Sequence, residues 1–200
     1  MASLNRPASN LTGVAGLANE TAAKRLELLH KLVPATELIA MLGGNQADVA
    51  SQAEVRNVQS AARTLGLRLL LSNARTESEI AAAFATLVER QAGAVFVGGG
   101  VQLISRYDQI ISLATRYALP TMFVFGEARE GGLLHYGPVL SEYVRVAGAY
   151  TGRILKGEKP ADLPVLQSTR FEFIINLKTA RAFKLEIPPL LLALADEVIE

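Results

Sequence analysis

Short apolar runs recur in the first part of the chain, and amphipathic segments separate them. The runs cover residues 37–42, 67–72, 93–97 and 121–125. Between them, apolar residues stand three and four positions apart, which is the period of a helix with one buried face. Apolar strands that alternate with such helices are typical of a parallel sheet covered on both sides. The pattern predicts an α/β fold with a doubly wound parallel sheet, Rossmann-like or flavodoxin-like.

The predicted helices carry their own start and stop signals. Asn45 is expected to cap the helix that follows the first strand, and Gly66 to end it. Thr76 and Glu79 form a T-x-x-E capping box for the next helix. One continuous helix is predicted over residues 103–119. Its apolar stripe consists of Ile104, Tyr107, Ile110, Ile111 and Ala114.

A further amphipathic helix is predicted before the first strand, over residues 17–33. Its buried stripe consists of Ala22, Leu26, Leu29 and Val33, and its polar residues elsewhere include Lys24, Arg25 and Glu27. After residue 125 the regular alternation of apolar runs and amphipathic segments ends. We predict a helix over residues 139–156, a proline-containing linker over 159–164 and an extended segment over 165–175.

Composition and charge exclude several classes of protein. The 200 residues carry 20 Lys and Arg against 19 Asp and Glu, and no Cys. The scattered positive charges do not point to nucleic acid, and the lack of Cys rules out disulfides and thiolate metal sites. The longest apolar run, 190–195, is far shorter than the roughly 18 residues that span a membrane. The first residues lack the apolar stretch of a secretory signal, so no export signal is expected in this sequence.

Motifs for catalysis or cofactor binding are also missing from the sequence. The three glycines at 98–100 do not form G-x-G-x-x-G, and neither a P-loop nor a G-x-S-x-G motif occurs. The two histidines, His30 and His135, lack the spacing of metal ligands. We therefore predict no catalytic residue, no metal site and no cofactor, although an active site assembled from distant loops stays open.

Three segments resemble one known family. They are residues 9–35, residues 131–138 (GGLLHYGP) and residues 152–200, and the last contains I-N-L-K-T-A, I-P-P and a closing D-E-V-I-E. In these segments the chain resembles the substrate-binding proteins of ABC transporters, of the type I periplasmic kind. The resemblance implies two doubly wound lobes that are joined by crossing strands and hold a small solute between them.

The resemblance also implies a division of the chain. Residues 1–13 would form a hinge and the remnant of a first lobe, and residues 14–126 the ligand-binding α/β lobe. Residues 127–164 would form a returning segment and a first-lobe helix, and 165–200 a crossing strand and the C-terminal helices. A signal peptide and most of the first lobe are expected to be missing.

Two places depart from the family pattern. Gly43, Gly44 and Asn45 stand where relatives commonly have a strand end followed by an Asn-Pro turn, which bears on the identity of the ligand. Lys184 stands where a helix-ending glycine is usual, which is expected to cost local stability.

The candidate ligand-binding residues follow the carboxyl ends of the predicted strands, where ligands bind in open α/β sheets. Helix N-termini at these ends expose N–H groups that suit a carboxylate or another anionic oxygen, although the glycines there could serve tight turns alone. The candidates are Gly44, Asn45, Thr76, Gly98, Gly99, Gly100, Phe125, Glu127 and Tyr136.

The last three candidates each have two interpretations. Phe125 offers an aromatic surface for stacking or is an ordinary core residue at a strand end. Glu127 could hold an ammonium group or be a solvated loop charge. Tyr136 could contact ligand or pack at a hinge.

The resemblance predicts a non-enzymatic protein that captures a small solute, such as an amino acid, and presents it to an ABC permease. It implies a periplasmic or other extracytoplasmic location. A homodimer is expected if the helix over 139–156 lacks its usual cover, unless that helix folds onto the chain's own sheet. A flavodoxin-like or Rossmann-like enzyme and the sensory domain of a regulator remain alternatives.

Overall fold

The computed structural model describes residues 3–5, 7, 9–16, 20–43, 48–167 and 169–200. The chain divides into two compact units. A smaller unit combines residues 1–17 with 138–171, and a larger unit combines residues 18–137 with 172–200.

Strands and helices alternate through most of the chain. The strands are β1 (Val14–Ala15), β2 (Leu38–Gly43), β3 (Arg68–Asn73), β4 (Ala94–Val97), β5 (Thr121–Phe123), β6 (Leu134–Pro138), β7 (Leu166–Gln167), β8 (Phe171–Asn176) and β9 (Glu197–Ile199). The helices are α1 (Ala22–Leu32), α2 (Val49–Thr64), α3 (Glu77–Glu89), α4 (Val101–Ile104), α5 (Tyr107–Tyr117), α6 (Leu140–Leu155), α7 (Leu177–Ala182) and α8 (Pro189–Leu194).

A seven-stranded sheet in the order β3-β2-β4-β5-β6-β8-β9 organises the fold. The first five of these strands pair in parallel, as do β8 and β9 with each other. The backbone N–H of Asn176, where β8 ends, donates to the carbonyl of Leu133, just before β6 begins. The N–H of Val139, just after β6, donates to the carbonyl of Arg170, just before β8. These bonds show that β8 runs opposite to β6. The predicted parallel arrangement is confirmed for five strands. Strands β8 and β9 are parallel to each other but run opposite to these five.

The central strands β2, β4 and β5 are buried on both faces of the sheet, as the doubly wound prediction requires. Along β2, Ile39 and Met41 contribute to a core with α1 and α2, whereas Ala40 and Leu42 contribute to a second core with α3 and α5. Successive side chains of a strand point to opposite faces, so an apolar strand supplies both cores.

Most predicted helix signals are confirmed in the larger unit. Thr76 and Glu79 form the capping box of α3, and Gly66, with a φ of +71°, directly follows Leu65, the C-cap of α2. The residue that caps α2 is Asp48, whose side chain accepts the N–H of Ser51, so the assignment of this cap to Asn45 is wrong. Asn45 itself lies outside the described residues.

The single helix predicted over 103–119 is wrong. The chain leaves helical geometry at Arg106, with φ of −130° and ψ of 19°, and this break separates α4 from α5. The interruption changes which side chains face the core: Leu103 is buried, whereas Ile104 is 36% exposed. Tyr107 then begins α5 and packs edge-on against Phe123, with 5.2 Å between the ring centroids.

The smaller unit is built around α6 and the short parallel pair of β1 and β7. The hydroxyl of Tyr150 donates to the carbonyl of Pro164 at 2.8 Å, and that of Thr12 donates to the carbonyl of Leu163 at 2.7 Å. Much of α6 is exposed, including Val144 and Leu155. Across the described ranges, no helix combines the length and hydropathy needed to span a bilayer.

Candidate functional site

The carboxyl ends of β2, β4 and β5 lie along one edge of the sheet in the larger unit, because these neighbouring strands are parallel. A cavity of about 450 Å³ opens at this edge, between the start of α2 and the loop after β4. Its lining residues are Asp48, Ala50, Ser51, Glu54, Gly99, Gly100, Val101 and Gln102. We take this cleft as the candidate site.

The structure brings only some of the predicted residues to the cleft. Gly99 and Gly100 line it. Gly98 lies beside them, and a Cβ there would be 3.0 Å from Glu54 Oε2 and 3.2 Å from the carbonyl of Leu42, so a side chain would fit only if these neighbours moved by a few tenths of an ångström. Thr76 is not among the lining residues and is committed to capping α3. Gly44 and Asn45 lie outside the described residues.

The other predicted residues lie farther along the sheet. Phe125 is half-buried, and its backbone N–H donates to Glu127 Oε2 at 2.8 Å. Glu127 is only 6% exposed, so it is not a solvated loop charge. Tyr136 is half-buried and packs against Phe173, with 6.3 Å between ring centroids. None of the three lines the cleft.

A buried ion pair that sequence reasoning missed lies at the cleft, and Glu54, one of its members, is a lining residue. Arg25 of α1 is fully buried, and its Nη2 is 2.6 Å from Oε1 of Glu54 in α2. Arg25 Nη1 also donates to the carbonyl of Val97 at 3.2 Å, and the guanidinium lies 4.4 Å from the centroid of the Phe96 ring. The placement of Arg25 on the polar side of its helix is therefore wrong.

Helical spacing contained a signal for this pair. Arg25 stands three residues after Ala22 and four before Leu29, both fully buried, so it falls on the apolar stripe. Glu54 stands four residues before Val58 and eight before Ala62, which are also buried. A charged residue at a stripe position needs a buried partner. Each helix thus indicated a buried charge, although not the partner of that charge.

Backbone donors at this edge are satisfied by the protein's own side chains. Glu54 Oε2 accepts the N–H of Gly99 at 3.0 Å, and Asp48 accepts that of Ser51 at 2.9 Å. At α3, the Thr76 hydroxyl oxygen accepts the N–H of Glu79 at 3.3 Å. The expectation of unpaired N–H groups that would attract an anionic ligand is therefore wrong for these three donors.

A second buried polar cluster lies beyond the cleft, between the loop after β5 and strands β6 and β8. His135 is fully buried between Glu127 and Glu172, 3.7 Å from the first and 3.6 Å from the second. Arg129 donates to both Glu172 and Glu197. Burial raises the pKa of Glu127, and the neighbouring His135 acts in the opposite direction.

The pKa of the Tyr107 hydroxyl is affected by charges of the Arg25–Glu54 pair and by that of Glu127 in the second cluster. Burial is the main reason that its pKa is raised, the charges of Glu127 and Glu54 add to the effect, and Arg25 opposes it. Within the described ranges, no three His, Asp or Glu side chains are grouped so that they could hold a metal ion.

Comparisons with known proteins bear on the family and the fold. A family model described as ABC transporter substrate binding protein matches residues 1–199. A tyrosine-binding protein of Clostridioides difficile (strain R20291) is 24% identical over 185 residues, which make up 92% of this chain and 52% of that protein.

Two solved structures superimpose on nearly the whole of this chain. The ABC domain in complex with L-Trp from Streptococcus pneumoniae superimposes with a TM-score of 0.83 and 25% identity, covering 98% of this chain and 66% of the other. A conserved domain protein of Vibrio cholerae superimposes with a TM-score of 0.85 at 19% identity, covering 98% of this chain and 65% of the other, and so shares the fold.

The chain spans about half the length of the tyrosine-binding relative and about two thirds of these solved chains. The family model nevertheless matches it almost from end to end. This protein belongs to the family of ABC transporter substrate-binding proteins.

Proposed function

We propose that this chain is the ligand-binding part of a substrate-binding protein that captures a small solute outside the cytoplasmic membrane and presents it to an ABC permease. The match of the family model over residues 1–199 carries the proposal. The position of the cleft supports it, because open α/β sheets bind ligands beyond the carboxyl ends of their strands. No chemical step is part of this function.

The solute that we propose is an aromatic L-amino acid. Two similar proteins support this choice: the pneumococcal domain that was solved with L-Trp and the tyrosine-binding protein of Clostridioides difficile. The cleft of about 450 Å³ has the size of a small-molecule site and combines backbone groups with polar side chains.

We assign different roles to the predicted site residues. Gly98, Gly99 and Gly100 would let the ligand approach the backbone closely, since they have no side chains. Phe125 does not line the cleft itself, and it would offer an aromatic surface to a part of the ligand that extends beyond the cleft. Glu127 would orient Phe125 through its backbone N–H, since that hydrogen bond already engages the carboxylate. Tyr136, which packs on Phe173, would support the neighbouring strand.

Ligand capture would work by a shift of population and not by chemistry. A solute that contacts both lobes of such a protein binds the closed form better than the open form and so favours it. The permease would recognise the closed form. Transport would then depend on the difference in affinity between the two forms.

Calorimetric titration and thermal unfolding of the purified chain test this proposal. The protein is unfolded, dialysed free of ligand, refolded and titrated with L-Trp, L-Tyr and L-Phe, with D-Trp and L-Ala as matched controls. A ligand present at about 100 times its Kd stabilises the folded state by about 2.7 kcal/mol, so the Tm should rise with the aromatic L-isomers. If none of these amino acids binds, the proposed solute class is wrong.

An absorbance spectrum of the same preparation tests the alternative of a cofactor-dependent enzyme. A flavin or nicotinamide band that persists through purification would favour the enzyme. A spectrum containing the protein bands alone would favour solute capture.

Pairing with a second copy stays a prediction. The apolar side chains Val144 and Leu155 of α6 are 66% and 83% exposed. Size-exclusion chromatography with light scattering measures the mass directly, and a monomer at all concentrations would contradict the pairing.

A further inference from the structure

The buried pair of Arg25 and Glu54 connects three elements at the cleft. Arg25 comes from α1 and Glu54 from α2, and both also bind the backbone where β4 ends. Arg25 donates to the carbonyl of Val97, and Glu54 accepts the N–H of Gly99. We call residues 98–100 the glycine loop. The ion pair therefore binds the backbone directly before this loop, at Val97, and within it, at Gly99.

Stability alone does not account for this pair. Moving two charges out of water costs several kcal/mol per ion, and apolar side chains of similar volume often replace a buried ion pair without loss of stability. What an apolar pair could not supply is an acceptor for the Gly99 N–H and a donor for the Val97 carbonyl. The distinctive contribution of the pair is that it fixes the position of the backbone at Val97 and Gly99.

The glycine loop needs such an anchor more than an ordinary loop does. Glycine loses more conformational freedom on ordering than any other residue, and this loop has three in succession. Within the loop, the carbonyl of Gly100 accepts the N–H groups of Leu103 and Ile104 at the start of α4. Closer to β4, the loop is held by Glu54, whose carboxylate accepts the N–H of Gly99.

We propose that Glu54, held in place by Arg25, is a positioning residue that fixes the glycine loop for ligand binding. This inference rests on the proposed function. Glu54 occupies the Gly99 N–H, so that donor does not serve an acceptor on the ligand. Glu54 acts on affinity by reducing the ordering that the loop must undergo when the ligand binds.

The test separates positioning from stability with a double variant. Arg25→Met with Glu54→Met keeps apolar volume in the core but removes both backbone contacts. Val58→Ala is the control, because Val58 is a fully buried residue on the next turn of α2 and its truncation destabilises the fold without touching the loop.

The first measurement is the Kd for L-Trp and L-Tyr by calorimetry, well below the Tm of every variant. The double variant should bind about tenfold more weakly, whereas Val58→Ala should bind within about threefold of the unsubstituted protein. A folded double variant with unchanged Kd would overturn the positioning role. A loss of affinity in Val58→Ala as large as that in the double variant would also overturn it.

The second measurement needs no ligand. Hydrogen exchange of the Gly99 amide by NMR should be about tenfold faster in the double variant and unchanged in Val58→Ala, since only the former lacks the acceptor. Equal exchange in all variants would overturn the proposal. If the unsubstituted protein binds neither amino acid, the proposed solute fails, and Gly99 exchange still decides whether Glu54 fixes the loop.

Discussion

The Nδ1 atom of His135 lies 3.7 Å from Oε2 of Glu127, and the Nε2 atom of the same ring lies 3.6 Å from Oε1 of Glu172. The ring is fully buried, and neither nitrogen has a hydrogen-bond partner among the described residues. The two carboxylates flank one imidazole in an environment that disfavours charge. Burial raises the pKa of Glu127, so the protonation of this carboxyl group is linked to folding.

Glu127→Gln should weaken the pH dependence of stability. Burial raises the pKa of Glu127 above its ordinary value of 4.5, so the folded state binds this proton more tightly than the unfolded state. Its contribution to stability is complete below the unfolded pKa and is lost as pH rises through the folded pKa. Gln can still accept the Phe125 N–H but does not titrate.

Urea unfolding at a series of pH values between about 4 and about 8 measures this difference. The free energy of unfolding should fall less steeply with rising pH in the variant than in the unsubstituted protein. Equal slopes would show that Glu127 titrates alike in the folded and unfolded states.

Gly137→Ala should be severely destabilising. A Cβ on Gly137 would overlap the backbone carbonyl of Val124, and backbone cannot move aside as a flexible side chain can. We expect a loss of more than about 3 kcal/mol in the free energy of unfolding. Gly148→Ala is the matched control, because a Cβ there contacts nothing within 4 Å and a helical alanine gains about 0.5–1 kcal/mol. Equal stabilities of the two variants in denaturant unfolding would contradict the predicted overlap.

Lys184→Gly should stabilise the protein. Lys184 follows the end of α7 with φ of +55°, a left-handed conformation that costs a non-glycine residue roughly 1–2 kcal/mol. Glycine removes this cost, and we expect the free energy of unfolding to rise by about 1 kcal/mol. Lys184→Ala loses the same side chain but keeps the strain, so it should give no comparable gain in chemical denaturation. A similar gain from alanine would place the effect in the lysine side chain.

Tyr107→Phe should also stabilise the protein. The Tyr107 hydroxyl is buried and has no hydrogen-bond partner in the part of the chain that the structure describes. Its removal keeps the edge-on contact with Phe123 and should gain about 1 kcal/mol. Tyr150→Phe is the opposite case, because that hydroxyl donates to Pro164, and its loss should cost about 1 kcal/mol. Thermal unfolding followed by circular dichroism compares the two, and a fall in Tm for Tyr107→Phe would indicate an unrecognised partner.

The alternation of strands and helices could be predicted because it is a local property. A strand such as β2 is recognised from six neighbouring residues, and the capping box of α3 from Thr76 and Glu79 alone. Prediction was incomplete where side chains that are distant in the chain come into contact. Tyr107 packs against Phe123 sixteen positions later, and the helix is interrupted at Arg106, directly before it, which no periodicity within 103–119 indicated.

By itself, the sequence determined the fold class, the family resemblance and the location of Gly99 and Gly100 at a strand end, since each depends on residues close together in the chain. Only the tertiary structure decided the burial of Glu127 and the pairing of Arg25 with Glu54. Arg25 and Glu54 are 29 positions apart, and Glu54 and Gly99 are 45. A buried charge must find a partner, but the folded packing of α1, α2 and β4 determines which partner is within reach.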